Sequence, residues 1–386
     1  MIGRVIAGGF ATSRVDGWSP VTVVRSADRW IVLALLILLG MGVLMVYSTT
    51  AVLASDDGGS AADYLRRHAL HIALGIAVFV LCASIPSEWW ARSSSWLLCL
   101  GLLSILLVLV PGVGVVAGGA RRWLAIGPVR VQPGELFKLI AALYAAGYIA
   151  RRNERLATFA GGVAAPFAVT GLGIILLLAE PDFGSAAVVG VVVFLQLVAG
   201  GVPLRYIAGV TVSGLAGVAA AVLVAPYRMR RFEAFLDPFA DPSGSGYQLV
   251  QSLIAVGVGG LTGAGLGGGT QKLFYLPAAH TDFIFAVIAE ELGFVGCVLV
   301  LFSYGLIAFR GLLLALRFED DPFRSSLAVG MTVLLVLPAL LNMGVVTGLL
   351  PTKGMVLPLV GYGGTAMLTY MAAAGILVRI STRETR

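Results

Sequence analysis

Charge is scarce in this sequence. Asp, Glu, Lys and Arg make up 12% of its 386 residues, about half the share of an ordinary globular domain. That shortage excludes a string of two or three soluble domains of about 150 residues each. Cysteine is as thin: Cys82, Cys99 and Cys297 all fall inside apolar runs, which excludes a disulfide framework and a cysteine-held metal. Histidine is limited to His68, His71 and His280, without an H-E-x-x-H pair, so a zincin-type membrane protease is excluded. There is no G-x-x-x-x-G-K-[ST] phosphate loop, no G-x-S-x-G elbow and no S-x-x-K nucleophile. What is abundant is apolar sequence, 59% of the chain, in runs of about twenty residues that suit a bilayer core of about 30 Å. The formal charge of +6 does not point to nucleic acid, because the arginines sit in short loops between those runs, where they report topology.

Ten spans can be placed, at 30–48, 67–86, 94–112, 134–150, 163–179, 185–201, 205–225, 283–309, 325–348 and 362–381. The fourth and sixth are short or polar-flanked. The expected fold is an all-α polytopic membrane protein of about ten transmembrane helices, with both termini on one side. Residues 1–29 read as a cytoplasmic tail, not a signal peptide, since no small-residue cleavage site follows the first apolar run. Residues 382–386 read as a second cytoplasmic tail. With the termini inside, fifteen of the 26 Lys and Arg residues are cytoplasmic, Arg92, Arg310 and Arg317 among them, as the distribution of basic loop residues requires. The outer side keeps all three lysines, Lys138, Lys272 and Lys353, together with Arg66, Arg67, Arg121, Arg122, Arg130, Arg228, Arg230 and Arg231. Snorkelling at helix ends accounts for such cations one at a time; an anionic phosphate ligand would account for them together. Between the seventh and eighth spans, 226–282 forms a large extracytoplasmic loop of about 57 residues, long enough to suggest function and apolar enough to suggest half-helices at the membrane surface. No second domain is available to hold an active site, so 30–381 is one transmembrane domain with its chemistry at the outer face.

Ionisable residues within or beside apolar spans are functional candidates. In ARRWLAIGPVRVQPGELFKL, Glu135 and Lys138 stand at i and i+3, where they can pair and fix helix register. Trp123 beside Arg121 and Arg122 is either an interfacial anchor or a residue that meets a sugar or headgroup. In AEPDFGSA, Asp182 can cap the next helix with Ser185. In HTDFIFAVIAEELGF, Asp282 can cap the helix that follows, or, partly desolvated at the membrane edge beside His280, can serve as a general base; Glu290 and Glu291 lie further along. In GLLPTKGMVLPLVGYGGT, Lys353 sits between two prolines ahead of a glycine-rich turn. The glycine-rich 259–270 follows no strand, so nucleotide binding is not expected.

Taken in order, RRWLAIGPVRVQPGELFKL, EPDFGSA, FLDPFADPSGSGYQLVQS, QKLFYLPAAHTDFIFAVIAEELGFVG and NMGVVTGLLPTKGMVLPLVGYGG resemble the SEDS family (shape, elongation, division and sporulation), membrane-embedded peptidoglycan polymerases typified by RodA and FtsW. The resemblance covers roughly 30–381, and GSGYQLVQS with NMGVVTGLLPTKG is more similar to the FtsW branch than to the RodA branch. The chain departs from the family's usual QPSE and SYGGSS at Gly134 and in GYGGTA, at Gly361 and Thr365.

The resemblance implies a glycosyltransferase that polymerises lipid II, the undecaprenyl-pyrophosphate-linked disaccharide pentapeptide, at the outer face of the bacterial cytoplasmic membrane, at the division septum if the FtsW likeness holds. It assigns Asp282 as catalytic base, or as a ligand of a divalent cation, magnesium or manganese. It makes Trp123, Arg121, Arg122, Lys272, His280 and Lys353 substrate-binding candidates, and leaves Glu135, Lys138 and Asp182 as a polar core that holds the cavity's shape. No nucleotide is implied. The partners it implies are a class B penicillin-binding protein transpeptidase, similar to FtsI, and other division proteins. Three other readings stay open: an elongation-type polymerase, a lipid II flippase and a non-catalytic scaffold. Against a flippase, the acidic residues cluster towards the outer half, whereas alternating access needs polar groups at the midplane.

Overall fold

The computed structural model describes residues 27–56, 61–117, 119–127, 129–273 and 275–382. The tails expected at 1–29 and 382–386 lie, except for residues 27–29 and 382, outside the described residues. The described chain forms α1 (Arg29–Asp56), α2 (Ala61–Ser84), α3 (Ser87–Leu109), strands β1 (Gly114–Ala117), β2 (Ala120–Ile126) and β3 (Val129–Val131), then α4 (Pro133–Arg151), α5 (Ala165–Ala179), α6 (Phe183–Ala199), α7 (Leu204–Val224), α8 (Pro226–Leu236), α9 (Tyr247–Gly259), α10 (Ile284–Arg317), α11 (Pro322–Val346) and α12 (Gly364–Ser381).

Among the described residues, eight helices are long and apolar enough to cross a membrane. They are α1, α2, α3, α5 with the π-turn Ala160–Ala164 before it, α7, α10, α11 and α12. The two other expected spans fall short for reasons visible in their composition. Helix α4 carries Glu135, Lys138 and Arg151 within 19 residues, and α6 has only 17, about 26 Å of rise. Both still pack inside the bundle, α4 against α3 and α11, α6 against α4, α5 and α11.

The all-α fold carries one addition that the sequence reading did not include, between α3 and α4. There β1, β2 and β3 make a small antiparallel sheet in which Val115 faces Trp123 and Ala125 faces Arg130. Short alternating segments punctuated by Gly119 and Gly127, both at positive φ, satisfy their backbone groups by turning back on one another. Boundaries also move. Pro86 sets the start of α3 at Ser87, so Arg92 lies within a helix, not in a loop, and α10 runs to Arg317, taking Arg310 with it.

The 226–282 connection contains α8, α9 and an irregular glycine-rich stretch laid against α10. Contact there is backbone to backbone. A Cβ on Gly259 would fall 1.8 Å from the Ala289 carbonyl oxygen, and one on Gly263 2.2 Å from that of Glu291. Helix α10 is itself interrupted at Gly293, whose φ is +64. The carbonyls this frees are taken up: Ala264 N–H donates to Glu290 O (2.8 Å) and Gly265 N–H to Glu291 O (3.1 Å), while Phe294 N–H donates to Gly260 O (2.9 Å). A break in an apolar helix is tolerated only when its polar groups are satisfied in this way. The centre of the bundle is α11 and α12, with most of their residues buried, whereas α7 has none of its span buried and stands at the edge.

Candidate active site

A cavity of about 460 Å³ opens where β2, the N-termini of α4 and α6, the turn before α10 and the segment 354–366 meet. Most of its polar side chains come from turns and from the first two turns of helices, where they interrupt little apolar sequence. Strand β2 supplies Arg122 and Trp123; α4 supplies Glu135 and Lys138, with Gln132 just ahead of it. Helix α6 supplies Ser185 and its cap Asp182. His280, Thr281 and Asp282 come from the turn, and Tyr362, Thr365 and Tyr370 from around α12.

Asp282 is held by its backbone. Its N–H and those of Thr281 and Phe283 all converge on the Ala278 carbonyl, and Asn342 Nδ2 bridges the carbonyls of Asp282 and Met355 at 2.6 Å each. The side chain, in contrast, accepts no hydrogen bond from any described residue. It is not a helix cap, for Phe283 occupies that position in α10 without a side-chain cap bond; the capping reading of Asp282 is thereby set aside. Burial, reinforced by Glu135 and opposed by Arg231, pushes its carboxyl up to about 6. At neutral pH it is a carboxylate with basic character, facing an open volume. The approach is kept clear by Gly354, where a Cβ would sit 2.6 Å from Asp282 Oδ2.

The other acids of the cavity are already committed. Lys138 Nζ donates to Glu135 Oε1 at 2.7 Å and to Tyr370 OH at 3.2 Å. Asp182 caps α6 through Ser185 N (3.1 Å) and accepts from Ser185 Oγ (2.8 Å) and Gln132 Nε2 (3.2 Å). Among the described residues no group of three or more His, Cys, Asp or Glu side chains is placed to hold a metal, and Asp282 is the one cavity carboxylate with no donor. The described side chains around this cavity do not by themselves make up a metal site.

The other candidates divide. His280 lines the cavity, edge-on to Tyr362 at 5.8 Å, and burial lowers it towards the neutral imidazole. Arg122 lines it too, its guanidinium donating to the carbonyls of Glu180 (3.1 Å) and Pro181 (2.6 Å). Arg121 does not line the cavity; its guanidinium donates to the Leu109 carbonyl at 3.3 Å. Lys272 is also elsewhere: it is buried in an ion pair with Glu291 at 2.6 Å. Neither is brought to the cavity. Lys353 lies just behind its wall, with Nζ 4.5 Å from the centre of the Phe183 ring, while its neighbour Gly354 lines it. Three lining side chains escaped sequence reasoning. Gln132 and Tyr362 stand in QPGE and GYGG, whose punctuation draws attention to the turn and not to these side chains. Tyr370 sits in what reads as plain apolar helix. Of the departures from the family pattern, Gly134 leaves a space in which a Cβ would lie 3.4 Å from Asp182 Oδ2, whereas Thr365 keeps a hydroxyl, which accepts from Gln132 N at 3.1 Å.

A model of the FtsW/RodA/SpoVE family, described as "Cell cycle protein", matches residues 29–386. A protein of Legionella pneumophila named probable peptidoglycan glycosyltransferase FtsW is 41% identical over 355 residues, 92% of this chain and 90% of its own. A protein of the same name from Thioalkalivibrio sulfidiphilus is 42% identical over 95% and 92% of the two chains. Among solved structures, a chain from work on the structural coordination of polymerization and crosslinking by a peptidoglycan synthase complex superposes with a TM-score of 0.75 at 29% identity, covering 92% of this chain and 98% of that one. The rod shape determining protein RodA of Thermus thermophilus gives 0.67 at 27% identity, over 92% and 97%.

Proposed function

We propose, for a chain that belongs to the FtsW/RodA/SpoVE family, that it is a peptidoglycan glycosyltransferase which polymerises lipid II at the outer face of the bacterial cytoplasmic membrane. The observation that carries the reading is the Asp282 carboxylate: raised to about 6, without a donor, and facing a cavity of about 460 Å³. A general base needs a basic form near the working pH and room for the hydroxyl it deprotonates. In the reaction, Asp282 takes the proton of the acceptor's GlcNAc 4-hydroxyl as that oxygen bonds to C1 of the donor MurNAc. The C1–O bond to the lipid diphosphate breaks, and the diphosphate leaves with the bonding pair. No nucleotide is called for, since the donor carries its own leaving group.

The finer parts of the reading have separate supports. Counted with the eight longer spans, α4 and α6 make ten, which puts both termini on one side, and the excess of Lys and Arg in the loops of that side favours the cytoplasm. Relatives named FtsW at about 40% identity favour the division branch, and hence the septum, over elongation. Polymer strands also need crosslinking, for which the sequence has no S-x-x-K site. A class B penicillin-binding protein like FtsI, among the division proteins, is the proposed partner.

The test is a gel assay for glycan polymer, using full-length protein with its transpeptidase and lipid II in detergent, where transport between two sides of a membrane cannot give a signal. Wild type should yield a ladder, with an acid limb near pH 6. Asp282→Asn should reduce the rate by about 10²–10⁴. No ladder from a correctly partnered preparation would sink the polymerase; a ladder that survives the substitution would remove Asp282 from the chemistry.

A further inference from the structure

Arg122 from β2 and Arg228 and Arg231 from α8 lie around Lys353, beside the first turn of α6. Lys353 Nζ stands 4.5 Å and Arg228 Cζ 5.3 Å from the centre of the Phe183 ring. Arg231, one turn along α8, donates from Nη1 to the Thr352 carbonyl at 3.3 Å. Arg122 reaches the same place from β2, spanning the Glu180 and Pro181 carbonyls. Around Lys353 itself the anionic side of the balance is poor. Burial and Asp182 push Glu180 up to about 8 against the pull of Arg122, so its ionised form is disfavoured and it offsets the cations weakly. Asp182 is occupied by Ser185 and Gln132. Lys353 Nζ is occluded and has no hydrogen-bond partner. Burial pushes Lys353 down to about 7; Asp182 opposes this, and Arg122, Arg231 and Arg228 add to it.

An occluded ammonium beside three guanidiniums is costly unless something negative arrives. We infer that Lys353, Arg122, Arg228 and Arg231 form the seat of a diphosphate group, floored by Phe183 and set beside the Asp282 cavity. The seat rests on the glycosyl-transfer reading for the identity of that group, the lipid-linked leaving group of the donor. The geometry fits that role. Gly354, the residue after Lys353, abuts Asp282, so the base and the seat lie on two sides of one short loop segment. The acceptor can then be deprotonated at one while negative charge gathers at the other.

The experiment titrates inorganic pyrophosphate into the full-length protein in detergent by calorimetry, with inorganic phosphate and phosphatidylglycerol nanodiscs as the comparison probes. Pyrophosphate should bind more tightly than phosphate. Lys353→Met should weaken it at least tenfold, as should the Arg228→Gln/Arg231→Gln pair, whereas Lys353→Arg should stay within threefold and Asp282→Asn should bind no worse than wild type. Thermal unfolding of each variant separates a lost seat from a lost fold. In the polymer assay Lys353→Met should lower kcat at least tenfold with little change in KM, because the leaving group gains charge on the way to the transition state. Unchanged pyrophosphate affinity in Lys353→Met overturns the seat, and so does displacement of pyrophosphate by the phosphatidylglycerol nanodiscs, which would make it a headgroup site. If wild type makes no polymer but Lys353→Met loses pyrophosphate, the glycosyl-transfer reading fails and the anion seat stands. If Lys353→Met polymerises at the wild-type rate with its affinity intact, the seat fails and that reading stands.

Discussion

Asp282 and the pair Glu290–Glu291 stand within one ten-residue stretch, yet the protein treats them in opposite ways. The pair is fully buried and saturated. Glu290 accepts from the Thr270 N–H (2.6 Å), the Thr270 hydroxyl (3.0 Å) and the Gln271 N–H (3.2 Å). Glu291 accepts from Ser48 Oγ (2.8 Å), the Gly267 N–H (3.0 Å) and Lys272 Nζ (2.6 Å). Asp282 has none of this and opens on a cavity. Burial alone does not separate a structural acid from a reactive one; the count of donors does. The first two carboxylates fasten the glycine-rich stretch to α10 and give the break at Gly293 its support, while the third is left for a ligand.

The largest effect should come from breaking the saturated site. Glu291→Ala strands Lys272 as a buried unpaired ammonium and removes acceptors from Ser48 and Gly267, so unfolding stability should fall by about 3–5 kcal/mol, read from thermal unfolding in detergent. The pair Glu291→Leu/Lys272→Met should recover much of the loss, because replacing both charges by apolar groups of similar volume is often neutral. A single variant as stable as wild type would mean that the ion pair does not hold the loop, and the contrast with Asp282 would collapse.

The open site should respond with the other sign. An aspartate titrates near 3.9 in an unfolded chain and at about 6 in this fold, so the folded state binds the Asp282 proton more tightly. Above pH 6 the carboxylate therefore lowers stability, by about 3 kcal/mol, and the penalty fades as pH falls from 6 towards 4. Asp282→Asn removes it. The variant should be more stable than wild type at pH 8, with a gap that closes by pH 4, while losing polymerisation. Thermal unfolding across that range decides the matter: a variant less stable than wild type at pH 8 would make Asp282 one more structural acid.

This contrast was only half legible in the sequence. Apolar runs located the helices, because bilayer thickness sets their length whatever packs against them. The Glu135–Lys138 pair and the Asp182 cap followed from spacing along a single helix. The sheet at 114–131 was less visible, since its strands are short and its alternation is masked by the surrounding apolar sequence. Lys272 and Arg121 part from the cavity for a different reason. Sign of charge and side of the membrane group both with Arg122 and Lys353, whereas their partners, Glu291 and the Leu109 carbonyl, are tertiary contacts that no local pattern encodes. The same limit hid Arg228 and Arg231, which meet Lys353 only because α8 folds back over the start of α6.

Asp182 lies between the two extremes, and Gly134 is the place to probe it. This acid lines the cavity and yet is already bonded three times. A side chain at 134 would bring its Cβ to 2.9 Å from Leu177 Cδ2 and 3.4 Å from Asp182 Oδ2. The first contact is tight, but it is with the end of a flexible leucine that can shift. Replacing glycine near the start of α4 also gains helix propensity, a few tenths of a kcal/mol, and a further hydroxyl hydrogen bond within a membrane bundle adds about 0.6 kcal/mol on average. Gly134→Ser should therefore change stability by less than about 1 kcal/mol and polymerisation by less than about twofold, because the new donor joins a carboxylate that Ser185 and Gln132 already satisfy. A loss of activity as large as that expected for Asp282→Asn would show that Asp182 needs a free lone pair for substrate, and would move it from the structural acids to the reactive one.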